Sequence, residues 1–389
     1  MLNWIELDAR AIHWNVTQFR RRLGPDVLLG AVVKSNAYGH GMLEVAALAC
    51  EAGADWLCVN NVDEAVRLRE AGHQSEILVM GYISGDQLGA VVEHHLRPVV
   101  YNLETIDRLD RLASEDDPVG VHLKVETGTH RQGIGEAEVV PFAQRVQRSP
   151  RLALEGISTH FANIEDSTDH AFAQAQIAAF GRISEALAAA GMPVLLRHAA
   201  CSAATLLFTR THLDLARVGI SLYGLWPSKE TYVSCLERGK PTLDLHPALT
   251  WKTRIAQVKT VEEGGYIGYG CTYRVTRRSL IAVVPVGYHE GYDRGLSGVA
   301  HVLVRGRRAP VRGRVCMNMC MVDVSDVPGV SLEDEVVLLG RQGDERVSAE
   351  QLAEWCGTIS YEIVSRIHPA LARIVVHKSL TEPVRHGQS

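Results

Sequence analysis

The sequence lacks a long hydrophobic run, and this absence excludes a membrane-spanning helix. Such a helix needs about 18 consecutive apolar residues, and no stretch of the 389 residues approaches that pattern. Residues 1–6 also lack the basic and apolar regions of a secretory signal peptide. We therefore expect no membrane partner and a cytoplasmic location.

Concentrated positive charge is also missing. The chain has 40 Lys and Arg residues against 45 Asp and Glu residues, a formal net charge of −5. Apart from one three-residue run on a predicted helix, the basic residues are scattered. A mildly acidic chain without a basic stripe is a poor ligand for a phosphate backbone, so we expect no nucleic-acid partner.

Paired cysteine motifs are absent as well. None of the eight cysteines forms a C-x-x-C pair, and no Cys and His spacing is typical of a zinc site. We therefore expect reduced thiols, as in cytoplasmic proteins, and no metal ion.

The first two-thirds of the chain repeats one pattern, in which an apolar run is followed by a turn and an amphipathic helix. The runs are continuously apolar, as in parallel strands that are covered on both faces. The eight candidate strands are Leu28–Lys34, Trp56–Asn60, Ile77–Gly81, Pro98–Tyr101, Val119–Glu126, Leu154–Phe161, Leu195–His198 and Leu215–Ile220. This α/β pattern predicts a (β/α)8 TIM-like barrel. A doubly wound open sheet is the alternative, but the repeat has no dinucleotide-binding glycine fingerprint.

After Gly224 the pattern changes. Residues 224–250 contain three prolines and are expected to form a loop. Short strand-like runs follow at Thr253–Lys259, Leu280–Val286, Ala300–Arg305, Met319–Val324 and Glu335–Leu339, with a helical pattern at Ala349–Cys356. We assign residues 9–235 to the barrel and residues 236–378 to a mostly β domain that is joined by an N-terminal strand at 1–8. Residues 379–389 are expected to form a flexible tail.

Lys34 ends the first predicted barrel strand. Catalytic residues of such barrels lie at the C-terminal ends of the strands, and a desolvated lysine there suits Schiff-base chemistry. The position of Lys34 alone is also compatible with a lysine that extends to the solvent at the rim of the barrel and has no catalytic role.

The sequence around Lys34 decides between these readings. Residues 34–41, Lys-Ser-Asn-Ala-Tyr-Gly-His-Gly, closely resemble the pyridoxal-phosphate attachment signature of the alanine racemase family. The resemblance extends from Ile5 to about Arg373. It implies that Lys34 holds the cofactor covalently and that Tyr38 contacts its phosphate.

The resemblance implies further cofactor contacts. Around the cofactor ring, His160 would lie beside the ring, Arg217 would lie at the pyridine nitrogen, and His198 would lie behind Arg217. Those at the phosphate are Ser202, Gly219, Ile220 and Tyr361, and Tyr288 faces Tyr361 at the entrance. Arginine stays protonated, so it donates to the nitrogen without giving up its proton. The ring would then be a weaker electron sink, which favours clean reprotonation.

The resemblance also implies how a small amino-acid substrate is held. Arg131 would bind its carboxylate, supported by Lys124, which is often carbamylated in this family. The backbone N–H of Met317, in the segment Cys316-Met317-Asn318, would bind the same carboxylate. Asn318 departs from the usual aspartate and resembles the serine racemases of the family, so serine is the alternative substrate.

Racemisation needs proton removal on one face of Cα and delivery on the other, which one base in a rigid site cannot easily serve. Lys34 is one candidate base. By sequence alone Tyr266 and Tyr269 compete for the second role, and the family match falls on Tyr269. In the family this tyrosine reaches the lysine of the other subunit, which implies a homodimer with shared active sites. Two other readings are a related-fold amino-acid decarboxylase and a non-enzymatic pyridoxal-phosphate carrier built on a similar barrel.

Overall fold

The computed structural model describes residues 1–239 and 242–377. The chain divides into two compact units. The barrel unit comprises residues 12–35 and 42–246, and the β unit comprises residues 1–11, 36–41 and those from Pro247 onward. The predicted tail at 379–389 lies outside the described residues.

The barrel unit contains eight parallel strands in sequential order, with the first strand paired to both the second and the eighth. All eight strands predicted from apolar runs are confirmed. Their bounds are Leu28–Val32, Trp56–Val59, Glu76–Val79, Arg97–Val100, Val119–Lys124, Leu152–Ser158, Leu196–His198 and Leu215–Val218. The predicted TIM-like barrel is therefore confirmed, and the open sheet is excluded.

Amphipathic helices connect the barrel strands. In the first of them Ile12, Val16 and Phe19 lie on one face and are completely buried, as the 3.6-residue period requires. The helices are Ala9–Leu23, Met42–Glu51, Val62–Glu70, Leu88–Glu93, Leu103–Leu112, Val139–Gln147, Ala171–Ala189, Ser202–Leu207 and Lys229–Glu237, with 3-10 turns at Glu136–Glu138, Thr209–Thr211 and Ile220–Tyr223. In the described part of the chain, every helix is too short or too polar to cross a bilayer.

The described part of the β unit contains three sheets, and two right-handed α-helices pack with them. In the largest sheet Trp4–Asp8 lies between Leu249–Arg254 and Ala372–Val376, so the N-terminal strand belongs to this unit. The other strands are Gln257–Val261, Tyr266–Ile267, Tyr273–Arg274, Ser279–Val284, His301–Val304, Arg307–Pro310, Cys320–Asp323, Glu335–Gln342 and Glu345–Val347, and the helices are Ala349–Cys356 and Ser360–Ser365, with 3-10 turns at Tyr269–Cys271 and Arg294–Leu296.

Two expectations were wrong in detail. The predicted strand Thr253–Lys259 is interrupted at Ile255 and Ala256, and its two halves lie in different sheets. The predicted loop at 224–250 contains the helix Lys229–Glu237. The Ser228 side chain caps this helix by accepting the N–H of Thr231 at 2.9 Å, a local signal that outweighs the nearby prolines.

Replacing Gly156 by alanine is expected to destabilise the barrel. A Cβ atom at this position would overlap the His122 ring and the carbonyl oxygen of Leu196. Overpacking of this kind costs about 1–3 kcal/mol. Gly181→Ala is the matched control, because Gly181 lies in a helix and a Cβ atom there would meet no neighbouring atom. This substitution should stabilise the fold by about 0.4–1 kcal/mol. Denaturant unfolding measures both, and equal stability of the two variants would contradict the packing described.

Candidate active site

The chain turns sharply after the first barrel strand, which ends at Val32 rather than at Lys34 as predicted. Lys34 opens a single turn in which Ser35, Asn36, Ala37 and Tyr38 all have φ between 52 and 54°. This left-handed conformation costs roughly 1–2 kcal/mol per residue for L-amino acids. Such strain is concentrated at functional sites.

Neighbouring groups hold this turn in place. The His40 Nδ1 atom lies 3.1 Å from both the Ala37 and the Tyr38 carbonyl oxygens. Arg373 donates two hydrogen bonds to the carbonyl oxygen of Gly39, at 3.2 and 2.9 Å. Gly39 is required because a Cβ atom there would overlap the Val364 backbone. The strained backbone beside Lys34 is therefore held by buried and partly buried hydrogen bonds.

The Lys34 amine lies in an environment that disfavours its charge. Burial lowers the pKa of Lys34, and the nearby Arg131 guanidinium lowers it further, while Glu64 partly offsets both. A lowered pKa raises the share of neutral amine, which is the nucleophilic form. Lys34 therefore has the properties of a Schiff-base lysine.

Other basic side chains lie at the same C-terminal end of the barrel. Burial lowers the pKa of Lys124 well below its ordinary value, with Arg217 and Arg131 acting in the same direction. Burial also lowers the pKa of His160 well below its ordinary value, helped by Lys124, Arg217, Arg131 and Lys34. Arginine stays charged at neutral pH, so the guanidinium groups among these side chains attract an anionic ligand.

The loop after the fifth strand is organised by Glu126 and Thr129. The Glu126 carboxylate accepts the N–H groups of Gly128 and Thr129, both at 2.6 Å. The Thr129 hydroxyl donates to the carbonyl oxygen of His160 at 2.7 Å. This loop therefore joins the segment of Arg131 to the segment of His160.

Arg217 is buried, with 6% of its surface exposed. Its guanidinium donates to the carbonyl oxygens of His198 at 2.9 Å and Thr159 at 2.8 Å, and to His198 Nδ1 at 2.5 Å. Among residues 1–239 and 242–377, no carboxylate pairs with it. Arg217 is therefore a buried cation held by neutral acceptors, not half of an ion pair.

A hydrogen-bonded chain continues from His198 into the barrel. His198 Nε2 lies 2.8 Å from His122 Nδ1, and His122 Nε2 lies 3.1 Å from Glu155 Oε2. Arg97 pairs with the same Glu155 oxygen at 2.9 Å. The sequence analysis predicted His198 behind Arg217 but missed His122 and Glu155. The only signal for these two residues in the sequence is that each is a polar residue within an otherwise apolar strand run.

Glu155→Gln should reduce stability in a pH-dependent way. Burial alone would raise the pKa of Glu155, but His122 and Arg97 lower it overall. The charged form therefore stabilises the fold above the unfolded carboxyl pKa of about 4.3, and this contribution is lost as the pH falls through the lower folded pKa. We expect the variant to lose about 1.5–3 kcal/mol of unfolding free energy at neutral pH, and we expect this difference to disappear in acid. Urea unfolding at several pH values measures it. The exposed Glu263→Gln is the control, and a pH-independent difference would contradict the assignment.

Ser202 and Gly219 form a small polar cradle at the ends of the last two barrel strands. The Ser202 Oγ atom accepts the N–H of Gly219 at 3.0 Å and that of Ser221 at 3.5 Å. These contacts use the lone pairs of Oγ, so the hydroxyl proton can be donated to an anion. Ile220 begins the adjacent 3-10 turn. Barrel phosphate sites commonly lie at this position.

In the β unit, Tyr38 and Tyr361 lie together. Their ring centroids are 5.9 Å apart and their planes are inclined by 50°. Tyr361 lies in the short helix Ser360–Ser365, and Tyr38 ends the left-handed turn. The two residues predicted from the resemblance to contact one phosphate are therefore neighbours.

The β unit also carries a cavity of about 1250 Å³. It brings together six residues that the sequence analysis singled out: Tyr266, Tyr269, Tyr288, Cys316, Met317 and Asn318. Tyr269 is 73% exposed and Met317 is 56% exposed. The remaining candidates, Lys34, Lys124, Arg131, His160, His198, Ser202, Arg217, Gly219 and Ile220, belong to the barrel unit.

Close backbone packing fixes the loop that carries Met317. The Cys316 N–H donates to the Met319 carbonyl oxygen at 2.8 Å, which closes a tight turn. The N–H groups of Tyr288 and His289 donate to the carbonyl oxygens of Cys316 and Met317 at 3.1 and 2.9 Å. These contacts turn the two carbonyl groups towards the neighbouring chain segment and hold the backbone of the loop in place.

Two family models match the chain: "Alanine racemase, N-terminal domain" over residues 7–227, and "Alanine racemase, C-terminal domain" over residues 248–375. The chain belongs to the alanine racemase family. It is 41% identical over 371 residues to the alanine racemase of Halothermothrix orenii, covering 95% of this chain and 96% of that protein. It is also 41% identical to that of Desulfosudis oleivorans, with 97% of each chain covered.

Solved structures of the family have the same fold. The crystal structure of the alanine racemase from Bacillus anthracis with bound L-Ala-P matches at a TM-score of 0.89 and 37% identity, covering 97% of this chain and 95% of that chain. The match spans both the barrel and the β unit. A carrier built on the barrel alone is therefore not favoured.

Proposed function

We propose that this protein interconverts L- and D-alanine with pyridoxal 5′-phosphate as cofactor. The observation that carries the proposal is the Lys34 amine, whose pKa is lowered by burial and by Arg131 at the catalytic end of the barrel. Membership of the alanine racemase family supports the substrate and the reaction, which is an isomerisation. The related decarboxylase is disfavoured because the family match includes the C-terminal domain with Tyr269 and Met317.

The residues present fit pyridoxal phosphate. Lys34 would attach the aldehyde carbon of the cofactor. Arg217, a buried cation that neutral acceptors hold, would donate to the pyridine nitrogen. The phosphate would be held by Ser202, Gly219, Ile220, Tyr38 and Tyr361, and His160 would lie beside the ring. When bound, the cofactor supplies an electron sink that makes the α-proton of an amino acid acidic.

The substrate carboxylate would be bound by Arg131 and by the backbone N–H of Met317. A guanidinium donates two parallel hydrogen bonds to a carboxylate, which fixes the orientation of Cα. Lys124 would position Arg131. Because burial lowers the pKa of Lys124, a neutral amine is available there, and this is the form that carbon dioxide carbamylates.

Lys34 and Tyr269 would exchange the α-proton on opposite faces of Cα. One base removes the proton while the other donates its own, so the configuration is inverted without rotation of the substrate. A phenol ionises only near pH 10 in water. Its proton transfer at neutral pH therefore needs a cation beside it, and Arg131 would supply that charge.

We also propose a homodimer in which each active site uses Tyr269 from a second copy of the chain. Tyr269 and Met317 are both exposed at an open cavity whose lining comes entirely from the β unit. Exposed aromatic and methionine side chains around a concave surface are typical of a contact surface. The eight free thiols fit the reducing cytoplasm as the location.

Turnover of L-alanine and L-serine by the cofactor-loaded protein, with chiral separation of the products, tests this function. A strong preference for alanine supports the proposal, whereas release of carbon dioxide or no racemisation would contradict it. Equal or faster turnover of serine would assign the specificity to Asn318, whose amide donates to Glu290 at 2.8 Å. Asn318→Asp would then be the variant to compare.

A further inference from the structure

The protons within the buried chain from Arg217 to Glu155 can be assigned from its geometry. Arginine only donates hydrogen bonds, so His198 Nδ1, at 2.5 Å from the guanidinium, must accept. A histidine that accepts at Nδ1 is neutral and carries its proton on Nε2. That proton is then donated to His122 Nδ1 at 2.8 Å. His122 in turn is neutral and donates from Nε2 to the Glu155 carboxylate at 3.1 Å.

The barrel is built around this chain. His122 and His198 are completely buried. Two glycines on the strands leave room for these side chains. A Cβ atom at Gly156 would overlap the His122 ring, and one at Gly120 would overlap the Glu155 carboxylate. This chain of hydrogen-bonded side chains crosses neighbouring strands from Arg217 to Glu155. Arg97 then links Glu155 to Glu76. Such a buried polar array must be fully satisfied to be stable, and every ring nitrogen here has a partner.

We propose that His122 and Glu155 are positioning residues for the reaction, because they fix the His198 tautomer that accepts a hydrogen bond from Arg217. This inference rests on the proposed function, in which Arg217 contacts the cofactor nitrogen. The Glu155 carboxylate sets the direction of both ring protons. Arg217 then remains charged and correctly oriented, although no carboxylate in the described part of the chain pairs with it.

Loss of the His122 acceptor would remove this constraint. The buried Nε2–H group of His198 would have no partner, and an unsatisfied buried donor is costly. The His198 ring would therefore turn towards another acceptor for Nε2–H, and its Nδ1 atom would no longer accept from the Arg217 guanidinium. Arg217 would then be displaced.

The test combines histidine-ring NMR with steady-state kinetics on the cofactor-loaded protein. In protein labelled with ¹⁵N-histidine, both His198 and His122 should carry a proton on Nε2 and none on Nδ1. His122→Phe removes the acceptor, whereas His122→Asn supplies an amide oxygen near the position of Nδ1. His170→Phe is the control, because His170 is also buried in the barrel unit but bonds Ser234.

We expect His122→Phe to lower kcat about 10- to 100-fold, the range found for residues that orient a functional group from behind. The KM for alanine should stay within about twofold, because Arg131 is untouched. His122→Asn should recover most of kcat, His170→Phe should retain it, and Glu155→Gln should lose less than Glu155→Ala. The His122→Phe variant should also bind pyridoxal phosphate more weakly and show a shifted visible absorbance.

A wild-type His198 protonated on Nδ1, or a His122→Phe variant with the kcat and absorbance of His170→Phe, would overturn this inference. These outcomes differ from failure of the proposed function, in which the wild-type protein itself would racemise neither enantiomer.

Discussion

Lys34→Ala should abolish both covalent binding of pyridoxal phosphate and racemisation. In the proposed function the side chain provides both the amine that bonds to the cofactor and one of the two bases, so no remaining group would replace either role. We expect activity to fall by more than about 10³-fold. The visible absorbance of the bound cofactor should not survive dialysis. Absorbance spectra and chiral product analysis on the same preparation measure both effects.

Lys229→Ala is the control for this experiment, since Lys229 begins an outer helix of the same barrel unit. It should bind the cofactor and racemise alanine like the wild type. A Lys34→Ala protein that retains the absorbance through dialysis would move the attachment point to another lysine. Retained racemisation would remove Lys34 from the reaction.

Tyr269→Phe should keep the cofactor and lose most of the activity. The phenol proton is removed while the ring remains, so the expected loss is about 10²- to 10⁴-fold in kcat, as for a general acid–base residue. Lys34 still serves one face of Cα. In deuterium oxide, one enantiomer of alanine should therefore continue to exchange its α-hydrogen while the other does not.

Tyr266→Phe provides a matched control, because Tyr266 is also exposed at the same cavity and lies three residues earlier. It should stay close to wild-type activity. Loss of activity in Tyr266→Phe but not in Tyr269→Phe would exchange their roles. Exchange of both enantiomers by Tyr269→Phe would show that another base serves the second face.

Local sequence patterns predicted the barrel well, because continuous apolar runs and helix periodicity follow directly from burial. Its eight strands start and end within a few residues of the expected positions. The β unit was harder to predict. Arg307–Pro310 and Ala372–Val376 are short or rich in polar residues, and their pairing depends on distant strands.

The candidate site shows the same difference between features that follow from local sequence and features that depend on distant residues. Lys34 was found from its motif, but the left-handed φ values from Ser35 to Tyr38 could not be read from residue types that rarely adopt them. His122 and Glu155 lie 33 residues apart, and only the strand order brings them together. Hydrogen bonds between distant strands leave no spacing signal in one sequence.

The most direct test of the shared two-base site is a heterodimer of one Lys34→Ala chain and one Tyr269→Phe chain, purified through two different tags. One of its two sites would carry both defects, and the other would combine an intact Lys34 with an intact Tyr269. We predict about half of the alanine racemisation of the wild-type dimer, because one of two equivalent sites is restored. Activity no higher than that of either variant alone would place Lys34 and Tyr269 of each site in one chain and contradict the account.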